Sequence, residues 1–414
     1  MRSEEAPKPI NRTRASSELT IGCEIKIDLI STNKKTLILS FMRKLFQFEI
    51  SENRIFGLDL LRFIAIFMVL LGHSLILAPE WFDKLINPYL FDGVAIFFVL
   101  SGFLVSGLLF KEYLKYGNIN AKLFLIRRGF KIYPIFYLTY ILYIAPRIYL
   151  NKLEVDKLLY DLFFIQNYAL EWGYAYAASW SLAVEEHFYF GLAVLFWYLF
   201  NKKKISLEIG KNSNFDKILI GILIIILIGR FFSNLMLPNE FVRNTTMTHL
   251  RIDSLLFGVL ISYWYYFKRE KLFNFYKNNK NILLITSFLM LTFTPFIESI
   301  HSFFVKTVGF TMIYLSFGII LIHFISSKEI NNQINSLFSK RVVNSVSKIG
   351  YCSYSIYIIH SFVIKWVNFL NIDNKLISFI LAFVLSVAVG IFMTDKIEVY
   401  FLNYRNKYFP SRIN

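Results

Sequence analysis

Polar and apolar positions in this chain segregate into long blocks rather than alternating turn by turn. From Leu58 onward ten apolar stretches recur, at about residues 59–78, 92–110, 132–150, 180–200, 217–236, 250–267, 281–299, 307–325, 351–370 and 376–394. Each approaches the ~20 residues that a helix needs to cross ~30 Å of hydrocarbon. The pattern predicts an all-α, polytopic transmembrane helix bundle of about ten spans. The piece from Leu158 to Tyr168 is too short to cross and reads as an interfacial or re-entrant segment. The first fifty residues are polar, and their best apolar run, Leu37 to Met42, is too short for a signal-peptide core, so no cleaved signal is expected. Met42-Arg43-Lys44 would serve as an alternative initiator. The expected organisation is a dispensable polar segment at 1–56, a transmembrane domain at 57–395 and a cytoplasmic tail at 396–414.

Composition agrees with the blocks. Of 414 residues, 56% are hydrophobic and 18% charged, against about 25% charged in soluble domains. A single soluble globule is excluded. With 45 Phe and 25 Tyr but only 9 Pro and 18 Gly, so are disordered and collagen-like classes. The net charge of +17 would raise nucleic acid as a partner in a soluble protein, but no recognition motif accompanies it. Its placement gives the better account. Alternate loops hold 24 Lys and Arg on one side and 7 on the other, the latter being Lys84, Arg147, Lys152, Lys157, Arg243, Lys306 and Lys375. Ten helices with both termini cytoplasmic satisfy the positive-inside rule. Trp81, Trp172 and Trp180 then fall near the outer interface, where amphipathic aromatics settle.

Ionisable side chains within a span cost at least ~2.5–3.5 kcal/mol each at its centre and so ask for a reason. Arg62 and His73 are eleven positions apart on the first span, which puts both on one face about 16 Å apart. A snorkelling arginine and a core histidine explain the pair in isolation equally well. Gly102 and Ser106 form a small-xxx-small pair that admits a close helix neighbour. Arg127, Arg128 and Lys131 stand where a cytoplasmic loop enters a span. They read either as topological charge or, with Arg128 and Lys131 at i,i+3, as a clamp for an anionic ligand. The fourth span opens Trp180-Ser181-Leu182-Ala183-Val184-Glu185-Glu186-His187. Two carboxylates there are hard to explain by packing, and one of them could orient His73 or bind a hydroxylated substrate.

Arg251 and Asp253 begin the sixth span. His249, His301, His323 and His360 are scattered, and without HExxH-like spacing they read as loop or packing residues rather than metal ligands. Cys23 and Cys352 are too far apart and too unlike in context to suggest a disulfide or metal site, and both are expected to be inert. Nucleophile-elbow, Walker and dinucleotide motifs are absent.

In this order the pieces resemble the acyltransferase-3 family of bacterial integral-membrane O-acyltransferases. The resemblance rests on Gly57 to Arg62 with His73 as Arg-x10-His, Phe97 to Phe103, the Arg127 to Pro134 loop, Trp180 to Glu185, and Ser353 to Tyr357 with His360. Two departures stand out: Lys131 replaces the second arginine of Arg-x-x-Arg, weakening a bidentate grip to a point charge, and His187 stands where Gln is common. A third expectation is that the chain ends too soon after its last span for the hydrolase-like domain of some relatives.

The resemblance implies a multi-pass protein of the bacterial cytoplasmic membrane that carries an acyl group, most simply acetyl, from cytoplasmic acyl-CoA to a hydroxyl of an extracytoplasmic glycan. Acyl-CoA is then a co-substrate, with no bound cofactor and no metal. Arg62, Arg128 and Lys131 would hold its phosphates, and His73 would act as general base. Glu185 would fix the His73 tautomer or position the sugar, and Trp180, Ser181 and Glu186 would contact the acceptor. Direct transfer and an acyl-enzyme relay stay open. A flippase or exporter of lipid-linked glycans, or a sensor or structural membrane protein, would share the spans, although the last leaves the His and Glu unexplained.

Overall fold

The computed structural model describes residues 54–413 apart from 88–89, 91–92, 211–212 and 298–300; the polar segment to residue 53, with Cys23, and Asp92 lie outside the described residues. Every regular element among those described is helical. The long helices are α1 (Phe56–Ser74), α2 (Gly93–Tyr116), α3 (Ala121–Tyr149), α4 (Trp180–Phe196), α5 (Phe215–Met236), α6 (Asp253–Phe267), α7 (Arg269–Leu291), α8 (Phe310–Ser326), α9 (Lys340–Phe369) and α10 (Lys375–Met393). Local chemistry sets several starts. Asn120 accepts from the Leu123 N–H at 2.9 Å to open α3, and Asn374 accepts from Leu376 and Ile377 at 3.0 and 3.2 Å to open α10.

Each apolar stretch has a long helix over it, but the boundaries shift. The stretch 281–299 shifts most: α7 starts at Arg269 and stops at Leu291, and 292–297 form turns. Thr294 precedes Pro295, and a residue before proline is pushed out of helical backbone geometry. The short piece before the fourth span folds as two small helices, Val155–Leu162 and Gln166–Ala169.

Five helical runs are long and apolar enough to cross a membrane: Phe56–Leu77, Gly93–Tyr116, Phe215–Met236, Val305–Ser326 and Lys375–Tyr408. On α5 the side chains of Ile224, Ile225, Phe232 and Leu235 face outward with more than half of their surface exposed. Water does not tolerate an apolar face of that extent, whereas lipid covers it. The chain is a multi-pass membrane protein. The remaining long helices fall short of that measure for visible reasons: α4 and α6 have 17 and 15 residues, and α3, α7 and α9 carry cations and polar groups in one half.

Two close approaches hold the centre. Helices α2 and α6 cross at Gly102, where a Cβ would collide with the Leu255 carbonyl, and at Gly258, where it would collide with the Val99 carbonyl and the Phe103 N–H. Ser106 returns its hydroxyl to the Gly102 carbonyl at 2.6 Å, so the small-residue pair leaves no stranded donor. Helices α1 and α9 meet at Gly350, whose Cβ would stand 2.5 Å from the Asp59 carbonyl. They run the same way from there, and this carries His73 and His360 to the same end of the bundle.

Beyond α10 a π-helical turn, Thr394–Glu398, leads into a helix at Val399–Tyr408. The last residues pack back on α2 and α3: Arg127 donates to the Phe409 carbonyl, Phe130 lies 5.5 Å from Phe409, and Arg412 pairs with Glu112 at 2.5 Å.

Candidate active site

Two cavities among the described residues hold most of the candidate residues. One, of about 790 Å³, is lined by His73 from α1, Gly93 and Val94 from α2, Trp172, Trp180 from α4, Thr245, Phe310 and Tyr357 from α9. The other, of about 450 Å³, is lined by Arg62, Ser101, Arg128, Lys131, Ser181, Glu185, Tyr189, Tyr351, Tyr354 and Tyr357. Val94 and Tyr357 belong to both walls. The two chambers therefore share part of their walls, at a waist between them. There Ser181 and Tyr357 share a 2.6 Å hydrogen bond, and each hydroxyl lies within 3.1 Å of the Ala178 carbonyl. The eleven-residue spacing on α1 places Arg62 at one chamber and His73 at the other, roughly 16 Å along the helix axis.

The basic chamber differs in detail from the sequence reading. Arg62 donates to Asp59 at 3.1 Å, and Arg54 grips the same buried carboxylate. Lys131 pairs with Glu398, which is 1% exposed and also accepts from Ser355 at 3.2 Å. The charge of Lys131 is thus partly committed to the protein itself. Arg128 has no ion-pair partner among the described residues; its guanidinium lies 5.8 Å from the ring centres of Phe124 and Tyr189. It is the cation best placed to meet an anionic ligand.

The acidic residues divide. Glu185 faces the basic chamber and accepts from Tyr189 at 3.0 Å; the Tyr189 hydroxyl is in turn 2.7 Å from Ser101. It does not hold His73. Glu186 is buried away from both chambers and accepts from Tyr133 at 2.9 Å. Trp180 lines the His73 chamber, packing edge-on against Phe98 at 6.2 Å, and Ser181 lies at the waist. His187 bonds Thr248 at 2.7 Å and lines neither chamber.

The partner of His73 is a residue that sequence reasoning passed over. Its Nδ1 lies 2.8 Å from Nε2 of His360, with the rings 4.8 Å apart and inclined by 17°. Among the described residues no third His, Cys, Asp or Glu joins them as a metal-binding set. The Ser353 to His360 string held the only signal for this partner. Its contact with α1 spans 287 positions and is a matter of tertiary packing alone. Arg230, also unremarked in the sequence, pairs with Asp253 at 2.8 Å, both fully buried, and donates to Thr311 at 2.7 Å. That pair ties α5, α6 and the start of α8 together beside the chambers.

The sequence model of a family described as an acyltransferase domain, Acyl_transf_3, matches residues 55–395. A Staphylococcus aureus (strain MRSA252) protein provisionally named an O-acetyltransferase is 27% identical over 389 residues, covering 86% of this chain and 60% of that one. The O-acetyltransferase OatA of Staphylococcus aureus (strain NCTC 8325 / PS 47) is 26% identical over 341 residues, covering 77% of this chain and 52% of its own. The peptidoglycan O-acetyltransferase OatA of Listeria monocytogenes matches at 29% identity over 140 residues, 29% of this chain and 22% of its own. The chain thus spans little more than half the length of the first two relatives. No solved structure matches it.

Proposed function

This chain belongs to the acyltransferase-3 family, and on that premise we propose that it is an O-acyltransferase of the bacterial cytoplasmic membrane. It moves an acyl group, most simply acetyl, from cytoplasmic acyl-CoA to a hydroxyl of an extracytoplasmic glycan. The observation that carries the reading is the pair of neighbouring chambers, one walled by arginines and the other by an imidazole, with Tyr357 in the wall of both. Such a pair suits a donor and an acceptor that arrive from opposite faces.

In this scheme the bundle crosses the membrane ten times with both termini in the cytoplasm, so the Arg128 chamber faces inward. Arg128 and Arg62, with a smaller share from Lys131, hold the nucleotide phosphates, and the thioester end extends through the waist. Glu185, on the wall of the same chamber, limits its net positive charge. On the far side the acceptor hydroxyl rests between Trp180 and His73. The His73 imidazole takes the hydroxyl proton as the oxygen attacks the thioester carbonyl. The new C–O bond forms, the C–S bond breaks, and the proton passes to the departing thiolate as CoA.

A radiolabel assay tests the scheme. With labelled acetyl-CoA and cell-wall or capsular glycan, the purified protein should move label to the glycan and release free CoA without any ion gradient. Transport of unmodified lipid-linked glycan across vesicles, with no label transferred, would establish a flippase instead.

A further inference from the structure

The proton positions of the histidine pair follow from what stands behind it. Nδ1 of His360 faces the backbone carbonyl of Tyr357. A carbonyl can only accept, so that nitrogen carries a hydrogen. His360 is 0% exposed, and among the described residues no Asp or Glu joins the pair, so a second proton on its ring would be a buried, unpaired charge. Its Nε2 therefore presents a lone pair. Two groups reach that nitrogen: the hydroxyl of Ser361 at 3.1 Å and Nδ1 of His73 at 2.8 Å. For the second contact to be a hydrogen bond, His73 must donate, which fixes its proton on Nδ1 and leaves its own Nε2 bare.

The surroundings decide what the bare nitrogen is for. His73 is exposed within a cavity that, among the described residues, no Asp, Glu, Lys or Arg lines. The nitrogen turned away from His360 is thus the one left for an incoming hydroxyl. Which ring nitrogen of a histidine is basic is set by the bond that the other makes. Here that bond runs to a neutral imidazole rather than to a carboxylate.

We propose that His360 is a positioning residue that holds His73 in its Nδ1–H tautomer, with the basic Nε2 turned into the cavity. The role rests on His73 acting as the base, but the tautomer can be read whether or not transfer is observed. The full chain, labelled with 15N at its 6 histidines and held in lipid nanodiscs, gives ring nitrogen signals by NMR; loss of one set in His73→Gln assigns His73. The expected result is a protonated Nδ1 and a bare Nε2 in the wild type. In His360→Leu the bare Nδ1 and protonated Nε2 should appear, and kcat should fall at least tenfold with KM for acyl-CoA unchanged. His360→Gln, whose side-chain carbonyl accepts the same bond, should restore most of kcat. A bare Nδ1 on His73 in the wild type would overturn the proposal even if every variant misfolds. So would an unchanged His73 tautomer in folded His360→Leu. Full transfer by His73→Ala would instead strike at the catalytic reading and leave the tautomer result standing.

Discussion

His73 and Arg128 carry different halves of the proposed reaction, and their variants should fail differently. His73→Ala removes a general base, which is worth roughly 10²–10⁴-fold in rate, while leaving a residue that helices accept readily. Turnover should fall by that order with binding of acyl-CoA intact, as measured by kcat alongside equilibrium binding. Arg128→Gln removes a charge-assisted contact to phosphate, worth about 1.5–3 kcal/mol. Its KM for acyl-CoA should therefore rise roughly ten- to a hundredfold. Lys131→Gln should affect the donor less, because its ammonium already serves the buried Glu398; its larger effect should be a lower melting temperature. Arg62 and His73 were legible in the sequence because helical periodicity fixes what lies on one face. The pairings Lys131–Glu398 and His73–His360 were not, since each links helices hundreds of positions apart.

The helices themselves were largely written in the apolar blocks, and so was the small-residue approach at Gly102. What the blocks did not reveal was where a helix stops. The stretch 281–299 is mostly apolar, yet Pro295 and the turns around it end α7 at Leu291. The partner of Gly102 was equally hidden: Gly258 on α6 is its reciprocal, each glycine lying against the backbone of the other helix. Overpacking a close contact costs typically 1–3 kcal/mol, and here the obstruction is backbone rather than a side chain that can swing away. Gly258→Val should thus lower the thermal midpoint in detergent by several degrees or abolish folding, whereas the same change at Gly221, with open space around it on α5, should leave the midpoint nearly unchanged. Equal melting of the two variants would contradict the α2–α6 crossing.

Across the whole molecule, the distribution of basic residues and the two chambers argue for one orientation. Reporter fusions after Phe200 and after Lys280 should report cytoplasm, and one after Asn239 the outer side; an outer signal after Lys280 would contradict the ten-span arrangement. In the proposed orientation each chamber would have its own face of the membrane, so donor and acceptor should be needed on opposite sides. Proteoliposomes of one protein orientation, with acetyl-CoA supplied only at the Arg128 face and glycan only at the His73 face, measure this directly. The account predicts label on the glycan, CoA released on the donor side, and neither with His73→Ala. Transfer only when both substrates are on the same side, or undiminished transfer by His73→Ala, would contradict it.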